Sequence, residues 1–224
     1  MPETDKLFPE YQLLSWLPDE TFFSLVSRHH QLWGHVTSAQ TCQLMFGSAR
    51  AGVHHDLPNS LGVFAQRTNA LLGDVDSIAR ERTLLNFYAA FAPPDETANA
   101  VACMSGASVA HLKLRLGILT SRFRANHPLK ACPQCMEQDL LETGWAYWHL
   151  KHQFPGVWMC TTHQQPLLQS ALKTNGVERF QWLLPRLSDL HSASTKSLGT
   201  ASYSVLLSLA ELIEHLVQSG AFKP

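Results

Sequence analysis

Apolar side chains between Phe22 and Trp33 recur three or four positions apart, and this spacing places them on one face of a helix. The segment Pro18–Thr21 precedes them and carries acidic groups where the N-terminal end of a helix dipole favours negative charge. Ser24 and Arg28 fall on the other side. The pattern therefore predicts an amphipathic first helix.

A second short helix follows the break at Gly34, with Ser38 as its cap and Gly47 as its end. Two short helices joined by a tight turn fit a helix-turn-helix, and they also fit a plain helical hairpin, so both interpretations stay open. Further helices are predicted to begin at Asn59 or Ser60, at Asp76 or Ser77, and at Pro94.

The chain ends in a helix with one apolar side. Residues 175–199 are rich in Ser, Thr and Gly and have no regular pattern. The apolar side of the helix that follows consists of Val205, Leu206, Leu209, Leu212, Ile213 and Leu216. Such a face needs a partner surface, either from the rest of the chain or from another chain.

The composition suits a folded protein in a reducing compartment. Of the 224 residues, 45% are hydrophobic and 16% are charged, which favours a globular chain over a disordered one. No apolar run reaches the ~18 residues of a membrane span, and the first residues lack the features of a signal peptide. We therefore expect a cytoplasmic protein without a membrane partner, in which a cysteine pair binds metal more readily than it forms a disulfide.

Two ligand pairs lie in the segment Lys130–Leu167, which we call the Cys/His segment. Cys132 and Cys135 form a Cys-x-x-Cys pair, and Cys160 and His163 form a Cys-x-x-His pair. Structural zinc is held by such tetrahedral sets of thiolate and imidazole ligands. The sequence therefore predicts at least one structural Zn²⁺ in a zinc-ribbon-like site. The alternative is a set of unrelated cysteines in a helical core.

His149 and His152 lie between the two pairs, among aromatic residues. Either imidazole can join the ion or bind a second one. The commoner arrangement for such a residue is a buried histidine that is hydrogen-bonded to the backbone, and the alternatives stay open.

A catalytic role has no residues to support it. A catalytic zinc keeps one position open for water and has a general base beside it, whereas three cysteines and one histidine fill a tetrahedron. The chain lacks the His-x-Glu of zinc deaminases, the His-Glu-x-x-His of metalloproteases and the glycine-rich phosphate loop. We expect a non-enzymatic protein with no small-molecule substrate, in which zinc contributes folding free energy.

These patterns predict a mainly α fold with a small zinc ribbon. A helical, helix-turn-helix-like domain is expected over residues 1–125 and a zinc-ribbon domain over residues 126–170. A C-terminal helical region is expected over residues 171–224.

The ligand pairs belong to a longer motif. Its parts are Cys132-Pro-x-Cys135, Tyr147-Trp148-His149, His152-Gln153-x-Pro155-Gly156-Val157 and Cys160-x-x-His163-x-x-Pro166-Leu167. Upstream stand Pro18-Asp19-Glu20, Ser24 with Arg28, Arg82-Thr83-Leu84 and Leu114-Arg115-Leu116-Gly117. Together these motifs, from about Pro18 to Leu168, resemble the TniQ family.

The resemblance implies a function that spacing alone does not give. TniQ proteins, including the TnsD-like members, are target-selection factors of bacterial transposons and have no reaction of their own. The chain is accordingly expected to link a target, either a DNA site or a CRISPR effector with its guide RNA, to a TnsC-like AAA+ ATPase. Self-association into a homodimer is a further expectation. Many members are longer, with extra DNA-binding helices, so docking on proteins and RNA is expected here in place of sequence-specific DNA reading.

A basic stretch between His111 and Lys130 offers a candidate nucleic-acid surface, since it contains no acidic residue. The candidate phosphate contacts are Lys113, Arg115, Arg122, Arg124 and Lys130. Clustered cations gain free energy by releasing phosphate counterions. The alternative is an ordinary solvated face, and the net charge of −1 argues against a general nucleic-acid binder while permitting a local basic face.

A second function stays open, that of a zinc-stabilised helix-turn-helix DNA-binding regulator with Thr37–Phe46 as its recognition helix. This helix carries Gln40 and Gln43, and Arg50 lies just beyond it. Few cations accompany them, which makes direct reading of the major groove a poor fit.

Overall fold

The computed structural model describes residues 12–118, 127–172, 180–193 and 200–219. Within these ranges the chain forms ten α-helices and five short β-strands, so the prediction of a mainly α fold is confirmed. The helices are α1 (Phe22–Leu32), α2 (Ser38–Phe46), α3 (Leu61–Arg67), α4 (Val75–Arg82), α5 (Leu85–Ala89), α6 (Pro94–Ser105), α7 (Leu112–Arg115), α8 (Pro133–Thr143), α9 (Leu150–Gln153) and α10 (Thr200–Ser219). The strands are β1 (Lys130–Ala131), β2 (Met159–Cys160), β3 (Gln165–Pro166), β4 (Leu168–Ser170) and β5 (Leu190–Ser192).

Short polar side chains set the starts of the first two helices. The Thr21 hydroxyl accepts a backbone N–H of the first turn at 3.1 Å, so α1 begins where the sequence predicts. Helix α2 is capped by Thr37 and not by Ser38, because Thr37 has an extended backbone and forms a capping box with Gln40. The Ser38 hydroxyl instead accepts the backbone N–H of Trp182 at 2.9 Å.

The larger core joins the N-terminal helices to segments that come much later in the chain. The Trp182 ring stacks on Phe23 and on Phe46, with centroids 5.2 and 6.1 Å apart. Trp148 is fully buried in the same core and donates its indole N–H to the Leu183 carbonyl at 2.8 Å. The Cys/His segment and the chain beyond it therefore complete the core of the N-terminal helices.

A second, smaller core surrounds the cysteines of the Cys/His segment. Its buried members are Leu84, Phe87, Cys132, Cys135, Leu150, Phe154, Val157, Met159, Cys160, Leu167, Ala210 and Ile213. Helix α10 reaches this core through Ala210 and Ile213, whereas Val205, Leu209 and Leu212 stay 67%, 39% and 53% exposed. The predicted apolar side of the last helix is thus divided into a docked row and an exposed row.

The polar side of α1 is buried too, which the amphipathic pattern does not predict. Ser24 is 0% exposed and Arg28 is 3% exposed. The Ser24 hydroxyl accepts the Trp148 N–H at 3.1 Å, and the Thr21 N–H donates to the Trp148 carbonyl at 3.0 Å. The physical reason is that the Cys/His segment covers this side of the helix and replaces water as its hydrogen-bonding partner.

A buried ion pair fixes the turn that enters α1. The Arg28 guanidinium donates to both carboxylate oxygens of Glu20 at 2.8 Å and to the Ser15 carbonyl at 2.6 Å. The same carboxylate accepts the Leu17 N–H at 3.0 Å. Because water reaches neither side chain, each charge depends on the other for its stabilisation.

Short antiparallel strands join the start of the Cys/His segment to the chain that follows it. Strands β1, β4 and β5 form one sheet in that order, with Lys130 opposite Gln169 and Leu168 opposite Ser192. Strands β2 and β3 form a separate hairpin. Residues from all three predicted domain ranges contribute to the cores, and the division at residues 125 and 170 stays a prediction.

No helix among the described residues has the length and the apolar character needed to cross a membrane.

Removal of the Arg28 charge tests the importance of the buried pair. In Arg28→Leu the Glu20 carboxylate stays buried without a cation, so we expect the free energy of unfolding to fall by about 3–5 kcal/mol. Urea unfolding at a constant zinc concentration measures this loss.

Arg80→Leu is the matched control, because Arg80 pairs with Asp76 at 2.7 Å on the exposed face of α4. An exposed pair of this kind contributes no more than about 1 kcal/mol. Equal losses in the two variants would show that the Glu20–Arg28 pair does not anchor α1.

Candidate metal centre

The first ligand pair lies at the start of α8. Cys132 is the residue that precedes the helix, and Cys135 belongs to its first turn. Pro133 occupies the first helical position, where its fixed backbone angle and missing N–H fit the geometry. The N-terminal end of a helix stabilises negative charge, so this position favours thiolates.

The second pair lies on the β2–β3 hairpin. Cys160 is paired with Gln165 across the hairpin, and His163 belongs to the turn between them. The turn requires a left-handed backbone at Gln164, with φ of 50°. The His163 N–H points at the Cys160 sulfur at 3.4 Å, and the Gln165 amide donates to the Cys132 sulfur at 2.8 Å. One half of the predicted ribbon is therefore a hairpin, and the other half is a helix start.

The four side chains converge on one point, and we call Cys132, Cys135, Cys160 and His163 the metal clamp. Their ligand atoms all lie within 4.8 Å of one another. The His163 Nδ1 is 3.5, 3.2 and 3.7 Å from the three sulfur atoms in chain order, and the Cys135 and Cys160 sulfurs are 3.7 Å apart. Ordinary zinc bond lengths in a tetrahedron place sulfur atoms about 3.8 Å apart and sulfur about 3.6 Å from nitrogen. The distances from His163 to the three sulfur atoms, and from Cys135 to Cys160, therefore fit a tetrahedral metal ion.

The chemistry of the three thiols also fits a cation. Hydrogen bonds from Cys135 and Cys160 lower the pKa of the Cys132 thiol. The hydrogen bond to Cys132 raises the pKa of Cys135 and of Cys160, because a second thiolate beside the first is unfavourable. A divalent ion at the centre removes this conflict, since it stabilises all three thiolates together.

The family of the chain follows from a comparison that spans more than half of its length. A model of the TniQ family matches residues 13–167, which include the Glu20–Arg28 pair and the complete metal clamp. The chain belongs to the TniQ family. The resemblance in the sequence motifs is thereby confirmed.

The TniQ chain is also similar to the transposon Tn7 transposition protein TnsD of Escherichia coli, with 25% identity over 146 residues. The alignment covers 65% of this chain and 29% of TnsD. The aligned part of the chain thus spans less than a third of the length of that relative.

His149 of the TniQ motif binds carboxylates in this structure. Its Nε2 lies 2.8 Å from an Asp139 oxygen, and its Nδ1 lies 3.6 Å from an Asp19 oxygen. Burial disfavours its charge, but the hydrogen bonds to both carboxyl groups outweigh burial and raise the pKa of His149 to about 9. His149 therefore joins the turn before α1 to α8 as a cation.

His152 of the TniQ motif lies beside the metal clamp. It is 1% exposed, and its Nε2 is 4.0 Å from the Cys135 sulfur. Burial lowers the pKa of His152 well below its usual value, so the imidazole is neutral. Nδ1 has no hydrogen-bond partner among the described residues, which favours the tautomer with its proton on Nε2. In this tautomer the Nε2–H group faces the Cys135 sulfur. A group that orients a metal ligand by a hydrogen bond is expected in this position.

Two of the candidate phosphate contacts are paired with carboxylates. The Lys113 ammonium lies 2.5 Å from an Asp56 oxygen, and the Arg115 guanidinium lies 3.0 Å from a Glu96 oxygen. Arg115 and Glu96 are both exposed, whereas Asp56 is buried. Arg115 is therefore the more accessible of the two cations.

The structure places Lys130 differently from the exposed contact that the basic stretch predicts. Its side chain is 2% exposed, and its ammonium donates to the Phe154 carbonyl at 2.9 Å and to the Val157 carbonyl at 2.5 Å. Burial lowers its pKa to about 7. Lys130 ties β1 to the chain that leads into β2, and a phosphate does not reach it. Arg122 and Arg124 lie outside the described residues.

Helix α10 contacts the hairpin of the metal clamp, which sequence reasoning missed. The Thr161 hydroxyl, next to Cys160, donates to both Glu214 oxygens at 2.9 and 3.1 Å. Ala210 and Ile213 pack in the same core as the clamp cysteines. The sequence indicates this contact only through the apolar side of α10, and that pattern does not reveal which part of the chain packs against it.

Loss of one clamp ligand tests whether the metal clamp holds α10 in place. Cys132→Ser removes one sulfur donor, so we expect loss of the metal and faster amide hydrogen exchange in residues 159–166 and in α10. The physical reason is that both lie on the second core, which contains the clamp cysteines. Hydrogen-exchange mass spectrometry with and without a chelator measures the effect.

Cys103→Ser is the matched control, because Cys103 lies on α6, outside the metal clamp. We expect the exchange pattern of the wild type in this variant. Slow exchange of α10 in metal-free Cys132→Ser would contradict the coupling.

Proposed function

We propose that this TniQ chain is a non-catalytic target-selection adaptor of a bacterial transposon. In this role it links a target, either a DNA site or a CRISPR effector with its guide RNA, to a AAA+ transposition regulator of the TnsC type. The observation that carries the proposal is the family match across the metal clamp and α1, together with the similarity to the Tn7 transposition protein TnsD.

The ion of the proposed adaptor is zinc, and its role is structural. Three thiolates and one imidazole are a typical zinc ligand set, and they occupy all four positions of a tetrahedron. No coordination position is then left for a water nucleophile, which favours a binding role over a hydrolytic one. When bound, zinc supplies folding free energy to the second core.

The nucleic-acid contacts in this proposal are Arg122, Arg124, Arg115 and Lys113. Arg115 has the exposure that a phosphate contact needs, and the other arginines come from the same basic stretch. Each phosphate contact releases counterions, so the affinity of this surface falls as the salt concentration rises.

A helix-turn-helix regulator draws less support, because the two glutamines of α2 bind backbone groups at the ends of their own helix. Gln40 accepts the Thr37 N–H at 2.9 Å, and Gln43 donates to the Gly47 carbonyl at 3.2 Å. Arg50 lies over the Phe180 ring. Self-association through helical faces stays a prediction, for which the exposed row of α10 is one available surface.

A transposition assay with sequenced insertion sites tests the proposed function. The transposase and the AAA+ regulator of the same transposon are supplied with or without this chain. Because an adaptor sets the position of insertion and not its chemistry, we expect omission of the chain to remove insertions at the selected target.

Arg80→Ala, which removes one exposed cation from α4, is the control and should preserve the insertion pattern of the wild type. Arg122→Ala combined with Arg124→Ala should reduce targeted insertion. Identical insertion sites with and without the chain would overturn the proposed function.

A further inference from the structure

A groove of about 870 Å³ runs beside α8, on the surface of the Cys/His segment. It is lined mainly by apolar side chains, namely Met136, Leu140, Leu141, Trp145, Leu184 and Leu187. Its size lies in the range of about 300–1,000 Å³ that is common for binding sites. No residue of the metal clamp or of the Glu20–Arg28 pair lines this groove.

Both walls of the groove are fixed in place by contacts described above. One wall is α8, which begins directly after the clamp residue Cys132 and holds Cys135 in its first turn. The other wall consists of residues 184–187, which come directly after Trp182 and Leu183 in the chain. Trp182 is stacked in the larger core, and the Leu183 carbonyl accepts the Trp148 indole N–H. Binding therefore needs little ordering of the groove itself, which favours affinity.

The apolar side chains at the edge of the groove are well exposed. Leu140 is 52%, Leu141 is 83% and Leu187 is 59% exposed. Several exposed leucines around one concave surface mark an interaction site more clearly than the same number scattered singly.

Two charges lie on the lining of the groove, Glu137 on α8 and Arg186 on the opposite wall. Among the described residues, neither side chain forms an ion pair or a hydrogen bond. An occupant that matches the groove therefore has an apolar centre, with a cation facing Glu137 and an anion facing Arg186.

We propose that this groove binds an amphipathic helix of the AAA+ regulator, an inference that rests on the proposed adaptor function. The helix has apolar side chains along one face, with a basic residue beside them for Glu137 and an acidic residue for Arg186. Nucleic acid is a poor occupant, because the lining is mainly apolar and its one carboxylate, Glu137, balances its one guanidinium, Arg186. The targeting complex, which carries nucleic acid, takes the basic stretch, and this leaves the groove to the regulator.

The test measures the affinity of the full chain for the purified AAA+ regulator of the same transposon in the presence of ATP. Leu141→Asp places a charge at the apolar edge of the groove, and Glu137→Arg reverses one of the matched charges. We expect each variant to weaken binding about tenfold or more. Both positions are exposed, and an unchanged melting temperature shows that the fold is intact.

Leu71→Asp is the matched control, because Leu71 is 65% exposed at a site outside the groove lining. It should bind the regulator as the wild type does. If the wild type binds and the groove variants bind equally well, the groove proposal is overturned and the adaptor function stands. If the wild type does not bind the regulator, the adaptor function is contradicted. The groove proposal rests on that function and is then contradicted too. If Leu141→Asp weakened the binding of duplex DNA and left the binding of the regulator unchanged, the proposal would be overturned in favour of a nucleic-acid site.

Discussion

The convergence of three sulfur atoms and one imidazole nitrogen is the constraint on which the second half of this structure depends. The clamp cysteines Cys132, Cys135 and Cys160 are themselves buried members of the second core, among apolar side chains such as Phe87 and Phe154. Without a cation, three thiols and a neighbouring imidazole are a weak substitute for apolar packing. With one, they join a helix start to a hairpin, since metal binding free energy becomes folding free energy.

The contacts around the metal clamp extend its influence in two directions. The contact between His149 and Asp19 joins the Cys/His segment to the turn before α1, and a backbone bridge between Glu20 and His149 lies beside it. On the other side, the contact between Thr161 and Glu214 joins the clamp hairpin to α10. The resulting body presents the groove beside α8 on a fixed frame. Such a frame supports the proposed adaptor function, in which the chain holds a target and a regulator in a defined relative position.

Local features of the structure could be predicted from the sequence, and long-range pairings could not. The metal clamp was predictable because each ligand pair is fixed by a spacing of three positions within one turn, as in Cys132 and Cys135. The burial of Lys130 was not predictable, because its partners are carbonyl groups of Phe154 and Val157, which any residue type provides. The burial of the polar side of α1 was not predictable for the same reason, since a helical pattern does not reveal that another segment covers this side.

The most direct test of this account is X-ray absorption spectroscopy at the zinc edge of the purified full chain. The account predicts one zinc ion per chain, with three sulfur neighbours at about 2.3 Å and one nitrogen neighbour at about 2.0 Å. Such a first shell would match the donor set of the metal clamp. A shell of oxygen and nitrogen atoms, or a fully folded chain that holds no metal, would contradict the account.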